Sequence, residues 1–146
     1  MNEYLNDNSH RRFNILTGEW VLVSPQRAKR PWQGKNEVLP KKQTISYDSD
    51  CYLCPGNTRI NGAVNPDYKD VYVFQNDFAA LQNNVKEFNL YNKLLKAKSE
   101  SGICKVICFS PDHSKSLGEM NKKEILKVIE AWQTQYLLLG KEKNIN

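Results

Sequence analysis

Histidine is scarce in this chain: two among 146 residues, His10 and His113. No apolar run approaches the roughly 20 residues that a membrane-spanning helix needs, so no membrane partner is expected. The opening Met1-Asn-Glu-Tyr-Leu-Asn-Asp-Asn is polar and acidic, which is not the composition of a signal peptide. The expected compartment is therefore the cytoplasm. There is no long block of basic residues either, which argues against a simple nucleic-acid arm. Net charge of +5 and a pI near 9.0 still suit an anionic partner. No internal repeat is visible. Four cysteines would allow two disulfides, but a cytoplasmic chain keeps its thiols reduced.

What is present is ordinary for a soluble globular protein: 40% hydrophobic and 25% charged residues. The length suits one domain, expected over 11–146, after a disordered lead-in over 1–10. Arg12–Leu16, a turn at Thr17-Gly18 and Trp20–Val23 predict a β-hairpin. Residues 24–70 hold five of the six prolines and predict a long irregular stretch. Such stretches inside a domain are uncommon and often functional. Val71–Phe74 predicts a short strand, Asn76–Leu81 a turn, and 83–101 a surface loop. Ile103–Phe109 is the clearest strand, ending at Ser110-Pro111. The clearest helix runs from about Lys122 to Leu139, with Asn121 as N-cap and Glu124 completing a capping box. Ile125, Ile129, Trp132, Tyr136 and Leu139 share one face of it. Gly140 is the expected residue just past its end.

The irregular stretch contains Cys51-Tyr-Leu-Cys54, followed by Pro55-Gly56. Two residues between the thiolates let both sulfurs face one ion. A redox reading needs a helix after the second cysteine, and Pro55-Gly56 breaks one. Cys104 and Cys108 make a poor metal pair. On a strand they lie about 13 Å apart, whereas zinc–sulfur bonds are about 2.3 Å; packing as small apolar thiols suits them better. His113, in Ser110-Pro-Asp-His-Ser114, is a third ligand candidate or a surface-loop histidine. Cys51, Cys54 and His113 are three candidates for a four-ligand zinc site, with no evident fourth.

Two further segments suit anions and sugars. Arg27-Ala-Lys-Arg-Pro-Trp32 packs three cations and an aromatic into six residues, which fits phosphate recognition or a solvated basic loop. Asn76-Asp77 directly follows a strand. An aspartate carboxylate there can accept two ribose hydroxyls, and a plain Asn-Asp turn explains the same pair.

Together these segments resemble galactose-1-phosphate uridylyltransferases. The resemblance is carried by Arg11-Arg-Phe-Asn-Ile-Leu-Thr-Gly-Glu-Trp-Val-Leu-Val-Ser-Pro-Gln-Arg-Ala-Lys-Arg-Pro-Trp-Gln-Gly34 and Asp50-Cys-Tyr-Leu-Cys-Pro-Gly-Asn57. Asn65-Pro-Asp-Tyr68, Val73-Phe-Gln-Asn-Asp-Phe-Ala-Ala-Leu81 and Cys104-Lys-Val-Ile-Cys-Phe-Ser-Pro-Asp-His-Ser-Lys115 extend it. These blocks occur in order and cover most of 11–139; the segment 83–101 carries none of the resemblance. The resemblance implies an α/β (α+β) fold, a histidine-triad-like half-barrel with a mostly antiparallel sheet and a long C-terminal helix. It also implies a homodimer. The implied activity exchanges UMP between UDP-glucose and galactose 1-phosphate through a covalent uridylyl-histidine.

Residue by residue, the resemblance implies zinc ligands at Cys51, Cys54 and His113. It implies nucleotide-sugar contacts from the neighbouring subunit at Arg27 and Arg30, and uridine contacts at Asn76 and Asp77, with Asp77 on the ribose. Leu53, Ile60 and Phe74 match an apolar uracil pocket. The family's fourth zinc ligand and its nucleophile lie in a His-Pro-His segment, and this chain contains no H-x-H. The chain is therefore expected to stop short of the active-site strand, to carry no catalytic residue and to be inactive alone. Two other readings fit parts of the pattern. One is a zinc-stabilised module for nucleotides or nucleic acid, which would weaken steeply with salt and ignore UDP-sugars. The other is an ADP-glucose phosphorylase-like enzyme on the same fold.

Overall fold

The computed structural model describes residues 3–31 and 45–142. Trp32, the aromatic of the basic cluster, lies outside the described residues, with Gln33 and Gly34. The chain forms two compact units, whose described parts are 3–31 with 78–104, and 45–77 with 105–142. No described helix is long and apolar enough to cross a membrane.

The first unit is an antiparallel sheet. Its strands are β1 (His10–Asn14), β2 (Glu19–Val23), β4 (Asn89–Tyr91) and β5 (Lys96–Ser99), in the order β2-β1-β5-β4. The expected β1–β2 hairpin forms, but Ile15 and Leu16, expected in its first strand, lie in the turn. Asn14 pairs with Glu19, and Gly18 takes φ 73°, a left-handed turn conformation that glycine adopts at no steric cost. Phe13 and Trp20 face each other across the hairpin at 5.4 Å.

Two expectations fail in this unit. Residues 3–10 are not a disordered lead-in: Tyr4–Asp7 form a short helix, α1, and Ser9 and His10 are fully buried. His10 donates from Nδ1 to the Asn8 carbonyl at 2.8 Å and accepts at Nε2 from Arg12 Nε at 2.9 Å. Its ring is thus a satisfied structural group. Nor is 83–101 a surface loop. It supplies β4 and β5, and β5 lies between β1 and β4 with Ala97 buried. Lysine, serine and alanine favour strands weakly, and pairing on both edges overrides that preference.

The second unit pairs β3 (Tyr72–Gln75) with β6 (Lys105–Cys108), antiparallel, Val73 opposite Ile107. It also carries α2 (Lys122–Leu139). The predicted capping box is present. Asn121 Oδ1 accepts from the Lys123 and Glu124 amides at 2.9 and 3.1 Å, and Glu124 Oε2 accepts from the Asn121 amide at 2.8 Å. Gly140 closes the helix at φ −68°, so it does not use glycine's left-handed freedom. The apolar face expected on α2 is largely open: Trp132 is 52% and Tyr136 80% exposed, and Val128 is its buried residue. Eighteen helical residues run about 27 Å. A two-stranded sheet, with strands about 5 Å apart, is too narrow to cover that length.

Candidate metal centre

The second unit gathers Cys51, Cys54 and His113. Their ligand atoms lie within 4.8 Å of one another, although 59 residues separate Cys54 from His113. Cys54 Sγ is 3.4 Å from His113 Nδ1. Bonds of about 2.3 Å to sulfur and 2.0–2.1 Å to nitrogen, at tetrahedral angles, put such a pair about 3.6 Å apart. This pair thus already stands at ligand spacing, with Cys51 Sγ within 4.8 Å of both. Thiolate and imidazole are the donors that zinc and other borderline-soft cations prefer.

Local sequence builds this arrangement. Cys54-Pro55-Gly56-Asn57 is a turn in which the Asn57 amide donates to the Cys54 carbonyl at 3.2 Å and Gly56 takes φ 77°. Proline then glycine is the pairing that a type II turn requires. The turn sends the chain away at once after the second cysteine. Before the first, the Cys51 amide donates to the Asp48 carbonyl at 3.2 Å; between them, the Leu53 amide donates to Cys51 Sγ at 3.4 Å. Backbone N–H groups directed at sulfur are compatible with a thiolate ligand.

Two asparagines lock the knuckle, and sequence reasoning gave neither a role. Asn57 Nδ2 donates to the carbonyls of Asp48 and Cys51, both at 2.8 Å. Asn65, 2% exposed, donates to the carbonyls of Tyr52 and Cys54 at 2.8 and 3.1 Å. The Tyr68 hydroxyl donates to the Leu53 carbonyl at 2.6 Å. The available signal was an excess of asparagine beside the cysteines, which also describes any turn.

His113 comes from the loop after β6. Its amide donates to the Ser46 carbonyl at 2.8 Å, and Nε2 stands 4.0 Å from Asp48 Oδ2. A carboxylate on the far side of a ligating imidazole orients the ring. Asp112 fixes the loop by accepting from the Ser114 amide and hydroxyl at 3.0 and 2.7 Å, which hold its carboxyl below the usual range. A cavity of about 280 Å³ adjoins the three ligands, lined also by Tyr68, Ile107 and Cys108. Burial pushes the Cys54 and Cys108 thiols up, the direction that a bound cation reverses. Cys108 is buried and Cys104 half-buried. Neither belongs to the three-residue ligand group.

The other expected site residues divide between the units. In the second, Asp77 is nearly buried, its Oδ1 accepting from Asn61 Nδ2 at 2.7 Å with Arg59 Nη1 3.6 Å away. Asn76 precedes it at the end of β3. Phe74 lies under the Arg59 guanidinium at 4.2 Å and stacks on Tyr72 at 5.5 Å. Leu53 and Ile60 are 43% and 38% exposed. In the first unit, Arg27 and Arg30 are exposed, Arg27 within a 3₁₀ turn (Pro25–Lys29) and Arg30 at its end. That turn is tied down by Ser24 Oγ donating to the Ala80 carbonyl at 2.7 Å, and by Gln26 Nε2 donating to the Ala79 and Ala80 carbonyls at 3.1 Å. Sequence reasoning gave Arg59 no role.

Comparison with known proteins identifies the family of the chain. The family described as galactose-1-phosphate uridyl transferase, N-terminal domain, matches residues 2–146. The chain is 50% identical over 135 residues to a galactose-1-phosphate uridylyltransferase of Haemophilus influenzae, covering 92% of this chain and 39% of that protein. It is 45% identical over 146 residues to the Saccharomyces cerevisiae protein of the same name, covering 94% of this chain and 40% of that one. The chain thus spans about two-fifths of the length of these curated relatives. A match over nearly every residue places the chain in the galactose-1-phosphate uridyl transferase family, in the part that forms its amino-terminal domain.

Proposed function

We propose that this chain is the amino-terminal share of an enzyme that exchanges a uridylyl group between UDP-glucose and galactose 1-phosphate. The observation that supports it most is the family match over residues 2–146. In this reading Cys51, Cys54 and His113 hold zinc. Bound there, the ion supplies a structural cross-link between the knuckle and the loop after β6. The residues of this chain then bind and orient the nucleotide. Asp77 accepts ribose hydroxyls, and Asn76 contacts the uridine. Leu53, Ile60 and Phe74 offer apolar surface to the base. Arg27 and Arg30 are fixed by a braced turn and exposed, as cations must be to meet the phosphates of a nucleotide bound by a second subunit.

The complete reaction is a double displacement: a histidine attacks the α-phosphorus, glucose 1-phosphate leaves, and galactose 1-phosphate takes the uridylyl group. That histidine is not among these 146 residues, whose sequence has no H-x-H. The chain by itself is therefore inactive. The intact enzyme is a cytoplasmic homodimer on a histidine-triad-like half-barrel.

A chimera tests this. Residues 1–146 joined to the remaining carboxy-terminal part of the Haemophilus influenzae relative should convert UDP-glucose and galactose 1-phosphate to UDP-galactose. The 146-residue chain alone should not. A folded, zinc-loaded chimera without turnover would refute the proposal, and turnover by the chain alone would refute its inactivity.

A further inference from the structure

A tight hairpin follows the knuckle, and it directs two side chains at Asp77. Its three-residue loop, Ile60–Gly62, is closed by the Gly62 amide donating to the Arg59 carbonyl at 2.9 Å and the Arg59 amide donating to the Ala63 carbonyl at 2.7 Å. Gly62 takes φ 87°, the left-handed position that such three-residue loops reserve for glycine. Asn61 Oδ1 accepts from the Ala63 amide at 2.9 Å, so the Asn61 carboxamide is itself held in place. Its Nδ2 donates to Asp77 Oδ1 at 2.7 Å. From the neighbouring position, Arg59 Nη1 stands 3.6 Å from the same oxygen.

The chemistry of Arg59 is unusual for a stabilising ion pair. Its side chain and that of Asp77 are each only 12% exposed. Yet Arg59 Nε and Nη1 are buried without a hydrogen-bond acceptor, and 3.6 Å exceeds hydrogen-bond length. Desolvated donors and a long contact make a poor contribution to stability. What fixes the guanidinium is the face of Phe74, 4.2 Å away, an attractive and directional contact. The arrangement spends hydrogen bonds to obtain a fixed position. That position confines Asp77 Oδ1 between a cation and a carboxamide donor and so sets the plane of the carboxylate.

We propose that Arg59 is a positioning residue for nucleotide binding: with Asn61 it holds the Asp77 carboxylate in the one orientation that accepts ribose hydroxyls. The inference rests on the reading of Asp77 as the ribose-binding residue. Oδ1 is the oxygen engaged by the hairpin, which in this role leaves Oδ2 for the sugar. Arg59 touches no substrate in this role; it acts through Asp77.

The test is a ratio of affinities. The zinc-loaded 146-residue chain is titrated with UDP and with 2′,3′-dideoxy-UDP. The parent should prefer UDP by about tenfold or more, the worth of a hydrogen bond to a charged group. Arg59→Met should bring the two ligands to within about twofold by weakening UDP alone. Arg59→Lys, which keeps the cation without the planar fork, should recover part of the preference. Asn61→Ala should reduce it severalfold, and gives the same readout if the methionine variant does not fold. A purely structural role would weaken both ligands alike, and that result overturns the inference, as does an unchanged ratio. Asp77→Ala separates the two levels. If it abolishes the preference while Arg59→Met and Asn61→Ala keep it, only the positioning role falls. If the parent shows no preference at all, the ribose reading falls with it.

Discussion

Replacing Asn65 with alanine should loosen the metal centre without touching a ligand. The Asn65 carboxamide donates to the carbonyls of Tyr52 and Cys54, at 2.8 and 3.1 Å, and so ties the middle and end of the knuckle to the strand-like segment that follows. Losing two such bonds, one of them buried, costs roughly 2–3 kcal/mol. Part of this is offset. Asn65 Oδ1 is buried with no partner, and removing an unsatisfied acceptor restores about 1 kcal/mol. The net loss is roughly 1–2 kcal/mol, or about five- to thirtyfold in an equilibrium constant. Because ordering the knuckle is coupled to holding a metal, this loss should appear in zinc affinity. Competition against a chromophoric chelator at neutral pH measures it, with circular dichroism confirming that α2 persists. Asn65→Asp keeps the shape but cannot donate to either carbonyl, so it should bind zinc no better than the alanine variant. Zinc affinity within twofold of the parent for both variants would refute the reasoning.

Two other predictions concern stability. A Cβ at Gly102 would sit 2.7 Å from Leu81 Cδ1 and 3.2 Å from Leu81 Cβ, so Gly102→Ala should destabilise the first unit by about 1–3 kcal/mol in urea unfolding; a loss below measurement error would show that Leu81 moves aside freely. Glu124 is held below its usual pKa first by the Lys115 hydrogen bond and then by the Asn121 amide, and Asp112 by Ser114. Carboxyls depressed in the folded state contribute stability that is complete above their unfolded value, near 4, and is lost as pH falls through the lower folded value. Lys115 is raised by the same pair, so its share is complete below its unfolded value, near 10.4, and is lost only as pH rises through the folded one. The melting temperature should therefore fall below about pH 4, and Lys115→Met should make that fall shallower. An identical acid profile in the variant would contradict the pairing.

The parts legible in the sequence were those specified locally. The β1–β2 hairpin, the capping box of α2 and the Pro55-Gly56 turn each follow from residues within a few positions of one another. Of the three candidate ligands, the cysteines were legible from their C-x-x-C spacing, whereas the residues alone left His113 open between a ligand and a surface-loop histidine; the fold brings it beside them. What was not legible depends on distant partners. β5 is a strand because β1 and β4 flank it, not because Lys96–Ser99 prefer that state. His10 is buried because Asn8 and Arg12 satisfy both ring nitrogens, which the polar segment Asn6–Ser9 gives no cause to expect. The shared apolar face of α2 was legible from its spacing, whereas its exposure, with Trp132 and Tyr136 open, was not. Arg59 and Asn65 escaped notice for the same reason: their roles lie in which carbonyl, ring or carboxylate they meet across the fold.

X-ray absorption at the zinc edge tests the metal centre most directly. The chain loaded with one equivalent of zinc should show two sulfurs at about 2.3 Å and a histidine nitrogen at about 2.0–2.1 Å. The imidazole scattering should vanish in His113→Ala while both sulfurs remain. A first shell without sulfur would contradict the assignment. So would a shell of three sulfurs, which would bring Cys108 into the site in place of the histidine.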